Sequence, residues 1–454
     1  MRQSRTLLLR NAERLVTMDD HDTEIADGGL FVRDGWIEQV GATASLPDTA
    51  DEVIDCRGQV VIPGLVNTHH HFFQTLTRAM AQDAELFGWL VELYPVWSRL
   101  TPEHVRVSTV TALAELALSG CTTAFDHHYF WINGASVDDQ IESARKVGIR
   151  FHVSRGSMSV GQSQGGLPPD EWVEDEGAIL ADCARAVSQH HDPVPGAMVQ
   201  VVIAPCSPFT VSSDLMRQSA ALARSLGVRL HTHLAETLDE DRYCRELFGM
   251  RPMEYAESVD WLGDDVWFAH AVHVSDRDIV KMSTTRTGVA HCPTSNMRLA
   301  SGVAPLQGYL ESGAPVGLGV DGSASNDSSH MLAEARQALL VARLARSLQR
   351  SEAPMLTARA ALRVATRGGA EVLGRTDIGS LQPGKAADIA CFRTDGLAMA
   401  GAHDPVAAMV FTGPHQVDRL VVQGRNVVVG GHLVSLEMAP HLTRHRNMAM
   451  QLVI

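Results

Sequence analysis

The sequence has no long hydrophobic run. No segment approaches the roughly 18 uninterrupted apolar residues of a membrane-spanning helix, so no membrane segment is predicted. The apolar patch near the N-terminus, TLLL, ends at Arg10 and Asn11 and is too short for the hydrophobic region of a secretory signal. A cytoplasmic location, without a membrane partner, is therefore expected.

Positive charge is also scarce. The 454 residues include 38 lysines and arginines against 53 aspartates and glutamates, which gives a formal net charge of −15. Nucleic acids and anionic membranes attract proteins through an excess of lysine and arginine that this chain does not have. The composition therefore argues against both as partners.

Paired cysteine motifs are missing as well. The seven cysteines show no Cys-x-x-Cys spacing and lie mostly in apolar or strand-like segments. Such cysteines are typical of reduced thiols in a cytosolic protein. They are Cys56, Cys121, Cys183, Cys206, Cys244, Cys292 and Cys391.

Short apolar strands do alternate with longer amphipathic helices between residues 63 and 374. Eight such units in a row indicate an α/β fold, a (β/α)8 TIM-like barrel. Before and after this region, short β-rich pieces separated by glycine and aspartate are typical of hairpins. The sequence therefore predicts a catalytic barrel over 63–374 and a small β-sandwich domain built jointly by 1–62 and 375–454. The predicted barrel strands are VVIPGLVNTH, CTTAFDH, IRFHVSRG, MVQVVIAPC, VRLHTHLAE, VWFAHAV, TGVAHCP and PVGLGVDG.

Histidine, with 21 residues, is abundant and clustered. In the segment PGLVNTHHHFFQ, side chains two apart on a strand share a face, so His69 and His71 are predicted to point together into the barrel mouth. His70 is predicted to point away. The pair alone is weak evidence for a metal site, but later strand ends carry similar residues: HTHLAE, AHAVH, AHCP and VDGSASND. In a barrel these ends meet at one face, where active sites lie.

Taken in order, these residues resemble the amidohydrolase superfamily, in its cytosine, guanine and adenosine deaminase branch. The resemblance covers nearly the whole chain, including the turn GSLQPGKAADIACF near its C-terminal end. It implies a hydrolytic deaminase of amino-substituted heteroaromatic small molecules, and we also expect a homo-oligomer. The resemblance implies metal ligands at His69, His71, His233 and Asp321, with catalytic roles for Glu236, His270 and Asp321.

The implied donor set suits a single divalent metal. Three neutral imidazoles and one carboxylate fit Zn²⁺ with a position left for water, and Fe²⁺ accepts the same donors. Binuclear members of the superfamily bridge two metals with a carbamylated lysine, typically at the end of strand four. Of the three lysines here, Lys146, Lys281 and Lys385, none follows the fourth strand, VVIAPCSPF. A metal-binding structural or storage protein would have no reason to place Glu236 beside the ligands.

Strand five carries two histidines on one face, His231 and His233. Glu236, three residues beyond His233, can lean back over a metal, and this favours His233 as the ligand. His231 is then expected to be a packed barrel histidine one layer deeper. No functional role is predicted for His127, His128, His273 or His291.

The substrate depends on weaker signals at Gln74 and Cys206. Gln74 resembles the ring-binding glutamine of the family, and Cys206, in APCSPFT, stands where guanine deaminases carry an arginine. A neutral or partly ionised thiol can accept the N7–H of 8-oxoguanine, whereas an arginine suits the N7 acceptor of guanine. A buried polar mismatch costs roughly 1 to 3 kcal/mol. A small buried apolar role for Cys206 is the alternative.

HHHFFQTLTR and APCSPFT together are most similar to 8-oxoguanine deaminases, which produce urate and ammonia. Guanine, another nucleobase, or an s-triazine that loses an amino or alkylamino group are alternative substrates for the same site. Residues 84–100, an insertion after the first strand, are interpreted as a candidate lid.

The alternation of side chains makes a first prediction. His69→Ala and Asp321→Ala should lose the metal because each removes a ligand, whereas His70→Ala should keep it. Metal content per chain in the purified variants measures the difference. Loss of metal in His70→Ala would show that the proposed orientation is wrong.

Overall fold

The structure is a computed structural model and describes residues 5–453. The strands are β1 (Thr6–Ala12), β2 (Arg14–Val16), β3 (Glu24–Ile25), β4 (Gly28–Arg33), β5 (Trp36–Ala42), β6 (Glu52–Asp55), β7 (Gln59–Pro63), β8 (Leu65–Asn67), β9 (Cys121–Asp126), β10 (Arg150–Ser157), β11 (Val199–Pro205), β12 (Leu230–Leu234), β13 (Val266–His270), β14 (Gly288–His291), β15 (Val316–Leu318), β16 (Ile389–Arg393), β17 (Arg419–Val422), β18 (Arg425–Val429) and β19 (His432–Leu433).

The α-helices are α1 (Leu86–Trp97), α2 (Pro102–Leu118), α3 (Val137–Val147), α4 (Glu176–His190), α5 (Ser213–Leu226), α6 (Leu238–Phe248), α7 (Pro252–Ser258), α8 (Asp276–Thr285), α9 (Pro293–Arg298), α10 (Leu306–Ser312), α11 (Met331–Leu348), α12 (Ala358–Arg363), α13 (Gly369–Val372), α14 (Pro405–Phe411) and α15 (Met438–Gln451). A π-helical turn spans Val364–Gly368, and 3₁₀ helices span Thr43–Ser45, Phe72–Thr77, Gln162–Gln164, Asp170–Trp172 and Leu397–Met399. No helix within residues 5–453 combines the length and apolar character needed to cross a membrane.

Eight parallel strands close into a barrel in the order β8 to β15, and β15 returns to β8 where Leu318 lies beside Asn67. The barrel strands are short and mostly buried along their length, because helices cover the outside of a parallel sheet and side chains fill its inside. Each predicted strand overlaps one of these eight, so the (β/α)8 prediction is confirmed.

The first barrel strand is shorter than predicted. The segment VVIPGLVNTH divides at Gly64, with β7 in an outer sheet and β8 in the barrel. A Cβ on Gly64 would lie 2.1 Å from the Thr122 hydroxyl, so the junction has room only for glycine. His69 and His71 therefore lie beyond the strand, and strand alternation was the wrong reason for their orientation. The backbone at His71 is nevertheless extended, with φ −131° and ψ 90°.

Two further sheets lie outside the barrel. The larger one, in the order β19-β18-β17-β16-β7-β2-β3, joins the two chain ends, since β16 pairs with β7 antiparallel. The smaller one has the order β5-β4-β1-β6. The β-rich ends thus meet. The predicted boundaries, 1–62 with 375–454 against 63–374, stay a prediction, and residues 1–4 and 454 lie outside the described range.

Two helices that are not part of the barrel repeat lie at its C-terminal face. α1 covers the mouth, and α15 packs against α2 and the 3₁₀ helix that follows His71. Met448 and Leu452 share one apolar cluster with Trp89 and Trp97 of the α1 segment. Residues 84–100 thus cover the candidate site, as a lid would, and a lid function stays a prediction.

Candidate active site

The predicted metal ligands converge at the C-terminal face of the barrel. His69 and His71 follow β8, His233 is near the end of β12, and Asp321 follows β15. Asp321 Oδ1 lies 3.3 Å from His69 Nε2 and 3.2 Å from His71 Nε2. The Nε2 atoms of His71 and His233 are 3.1 Å apart. The structure therefore brings together all four residues, although they come from three distant parts of the chain.

All three imidazoles present Nε2 to this centre because Nδ1 is engaged elsewhere. His71 Nδ1 donates to the carbonyl of His127 over 2.6 Å, and His233 Nδ1 donates to the carbonyl of Cys206 over 2.7 Å. His69 Nδ1 lies 2.9 Å from His231 Nε2. With Nδ1 carrying the proton, Nε2 has a free lone pair.

The donor set fits a divalent cation. Burial lowers the pKa of His69 to about 3 and the pKa of His233 well below its ordinary value, which keeps both neutral. The N–H of Gly322 and the hydroxyl of Ser325 donate to the two carboxylate oxygens of Asp321, and these hydrogen bonds favour its ionised form. His69 Nε2 is buried and has no hydrogen-bond partner among residues 5–453. Neutral imidazoles beside an ionised carboxylate form a metal site that needs no further deprotonation.

His231 does more than pack. Its Nδ1 donates to the carbonyl of Trp267 over 3.0 Å, so its Nε2 is left as an acceptor for His69 Nδ1–H. Burial keeps the pKa of His231 well below its ordinary value, so the acceptor form persists. His231 therefore fixes the tautomer and the ring orientation of His69, a role that was not predicted. The only sequence signal for it was that His231 and His233 share a strand face.

Glu236 and His270 lie together above the ligand cluster. His270 Nε2 is 3.5 Å from Glu236 Oε2 and 3.9 Å from Asp321 Oδ2. Its Nδ1 donates to the side-chain oxygen of Asn296 over 2.9 Å. Burial raises the pKa of Glu236. Burial alone would lower the pKa of His270, but the carboxylates of Glu236 and Asp321 raise it.

The backbone is strained at these strand ends. His270 has a φ of 70° and Asp321 has a φ of 62°, backbone angles that residues other than glycine rarely adopt. Asp321 is held by hydrogen bonds to both carboxylate oxygens, from the Gly322 N–H over 2.7 Å and from the Ser325 hydroxyl over 3.0 Å. Neither partner was predicted, although both lie in the segment VDGSASND.

Gln74 and Cys206 both line a cavity beside this centre, and their role in substrate binding stays a prediction. Gln74 Oε1 accepts the N–H of Ala324 over 3.2 Å, and its Nε2 is buried without a partner among the described residues. Burial raises the pKa of the Cys206 thiol to about 12, so the thiol is neutral and not partly ionised. The cavity wall also includes Leu86, Trp89, Leu90, Tyr94, Tyr129, Phe209 and Leu299.

The remaining histidines take different positions. The Nε2 of His70 is 2.9 Å from the Ser329 hydroxyl, away from the ligand cluster. The ring of His127 stacks on His233 at 4.8 Å, so His127 borders the cluster and also orients His71 through its carbonyl. His128 stacks on Trp131.

The chain is similar to a known family and to several known proteins. The amidohydrolase family profile matches residues 60–427. An 8-oxoguanine deaminase of Pseudomonas aeruginosa is 48% identical over 450 residues, which cover 98% of both chains. A hydroxydechloroatrazine ethylaminohydrolase of Pseudomonas sp. strain ADP is 38% identical and covers 95% of this chain and 92% of its own. The structure of an atrazine chlorohydrolase of Arthrobacter aurescens complexed with zinc superposes with a TM-score of 0.93 at 34% identity, covering 98% of this chain and 100% of that one.

The contact between His231 and His69 generates a second prediction. His231→Phe keeps most of the buried volume but removes the acceptor for His69 Nδ1, so metal affinity should fall about 10- to 100-fold. Titration of the metal-free protein with Zn²⁺ measures the change. His152→Phe, which alters a buried barrel histidine whose hydrogen-bond partner is Arg375, is the matched control. Equal affinities in the parent and His231→Phe would contradict the positioning role.

Proposed function

The chain belongs to the amidohydrolase family and is an aminohydrolase, and from that premise we propose that it deaminates 8-oxoguanine to urate and ammonia. The observation that carries the proposal is the 48% identity to an 8-oxoguanine deaminase over 98% of both chains. A neutral thiol at Cys206, within a cavity beside Glu236 and Asp321, supports it.

We propose zinc as the metal, held by His69, His71, His233 and Asp321. The three Nε2 lone pairs and the ionised carboxylate fit this ion. The crystal structure of the related atrazine chlorohydrolase was determined in complex with zinc. When bound, a divalent ion of this kind lowers the pKa of water to about 7 and so supplies a nucleophile at neutral pH. Fe²⁺ accepts the same donors.

Glu236 is proposed as the residue that delivers a proton to the ring nitrogen next to the reacting carbon. Its raised pKa allows it to hold a proton at a higher pH than an exposed glutamate does. Protonation of that nitrogen makes the ring carbon that bears the amino group easier to attack.

Asp321 is proposed to take the proton of the attacking water and to pass it to the departing ammonia. Its Oδ1 faces the imidazoles of His69 and His71, while its Oδ2 is on the side of His270. One oxygen can thus bind the metal while the other receives the proton.

His270 is proposed to stabilise the negative oxygen that forms on the attacked carbon. Because its Nδ1 donates to Asn296, its Nε2 points towards Glu236 and Asp321. Its raised pKa favours a protonated Nε2, which can donate a hydrogen bond to a developing oxyanion.

Cys206 and Gln74 are proposed to select the ring. A neutral thiol sulfur can accept the N7–H of 8-oxoguanine, whereas an arginine at the same place would meet it with another donor. Gln74 Oε1 already accepts the N–H of Ala324, whereas its Nε2 has no partner among the described residues, so this donor is free for an acceptor on the substrate.

Removal of an amino or alkylamino group from an s-triazine is the second candidate. It is favoured by the 38% identity to the hydroxydechloroatrazine ethylaminohydrolase and by the structural match to the atrazine chlorohydrolase. The same metal site and Glu236 would serve either substrate. Activity assays with both substrates are therefore needed to distinguish the two candidate functions.

The proposed proton transfer leads to a third prediction. Glu236→Gln keeps the size of the side chain but cannot carry the proton, so kcat should fall by about 10² to 10⁴ while the metal is retained. Glu246→Gln, an exposed change on the neighbouring helix, should leave kcat unchanged and serves as the control. Parental turnover in Glu236→Gln would show that Glu236 is not the proton carrier.

The proposed recognition of N7–H leads to a fourth prediction. An ammonia-release assay should show a clear preference for 8-oxoguanine over guanine. Cys206→Arg should reduce this preference, because an arginine donates to the N7 acceptor of guanine. Faster turnover of guanine by the parent, or turnover of amino-s-triazines alone, would refute the substrate but not the metal site.

A further inference from the structure

Glu240 is a buried carboxylate that the proposed reaction does not use. Its side chain is fully inaccessible to solvent, and Oε1 and Oε2 accept the backbone N–H groups of Ala235 and Glu236 over 2.8 Å and 2.9 Å. Burial raises the pKa of this carboxyl to about 7. The position thus carries an ionisable side chain, although a neutral side chain would avoid the cost of removing a charge from water.

The hydrogen bonds of Glu240 do not serve its own helix. Glu240 is the third residue of α6, whose N-cap is Thr237, and a glutamate there commonly returns to the N–H of the N-cap residue. Here the carboxylate passes the N-cap and binds the two residues before it. Both belong to the link between β12 and α6 that carries Glu236.

That link has an unusual backbone. Ala235 has a φ of 55°, a conformation rarely adopted by alanine. Its carbonyl accepts the N–H groups of Val272 and His273, each over 2.9 Å, and these two residues follow His270 after Ala271. The peptide that Glu240 holds is therefore also tied to the strand end that carries His270.

We propose that Glu240 is a positioning residue that sets the place of the Glu236 carboxyl by binding the two backbone N–H groups before α6. The inference depends on the proposed role of Glu236. A carboxylate can accept both N–H groups at once, whereas a glutamine has one oxygen and must turn its NH₂ towards the second N–H. A small displacement of a catalytic group is enough to slow a reaction about 100-fold.

The test is a double-mutant cycle on the metal-loaded enzyme. Glu240→Gln should lower kcat about 10- to 100-fold, with KM changed less than about twofold and metal content and melting temperature close to the parent. In the Glu236→Gln background the same change should alter the residual kcat by less than about twofold, because Glu240 acts through Glu236. Asp241→Asn, the same chemical change one residue later, in a side chain that pairs with Arg245 and Arg251, should leave kcat unchanged.

Two results would overturn the inference: parental kcat in Glu240→Gln, or an equal loss in both backgrounds, which indicates a general structural role. Should Glu240→Gln fail to fold, Glu240→Asp, which keeps the charge but shortens the reach, enters the same cycle and is judged by the same results. Near-parental activity of Glu236→Gln alone would instead overturn the proposed role of Glu236.

Discussion

The candidate site depends on the hydrogen bonds that occupy Nδ1 of each ligand histidine. Two of these protons go to backbone carbonyls, those of His127 and Cys206, and the third goes to His231, which is itself held by the carbonyl of Trp267. Because these carbonyls belong to the barrel strands or the residues directly after them, the barrel determines both the tautomer and the direction of each ring. The three Nε2 lone pairs therefore all point to one centre, and this arrangement favours a divalent cation there.

A second constraint is the strain at the strand ends. Ala235, His270 and Asp321 all have positive φ, and each lies where a barrel strand turns towards the site. Buried carboxylates hold neighbouring backbone: Asp126 accepts the N–H of Phe72 beside His71, and Glu240 accepts those of Ala235 and Glu236. Strained conformations persist only where the surroundings fix them, and the carboxylate of Glu240 supplies that support at Ala235.

The alternation of apolar strand segments and amphipathic helices identified the barrel, whereas the four residues that cluster were identified through the family resemblance that the residue types at the strand ends carry. The roles of His231 and Glu240 were not visible in that way. His231 bonds to a side chain 162 positions away, and Glu240 binds backbone groups that no residue type indicates. The break of the first strand at Gly64 was missed although Pro63-Gly64, a dipeptide typical of turns, stands where the chain passes from an outer sheet into the barrel.

The central claim is that this arrangement binds a single divalent ion with three imidazoles and one carboxylate. The most direct measurement is the number of metal ions per chain in purified, active protein, determined by elemental analysis. A value close to one is expected, with zinc or iron as the metal. A value close to two, or full activity in protein without metal, would contradict the central claim.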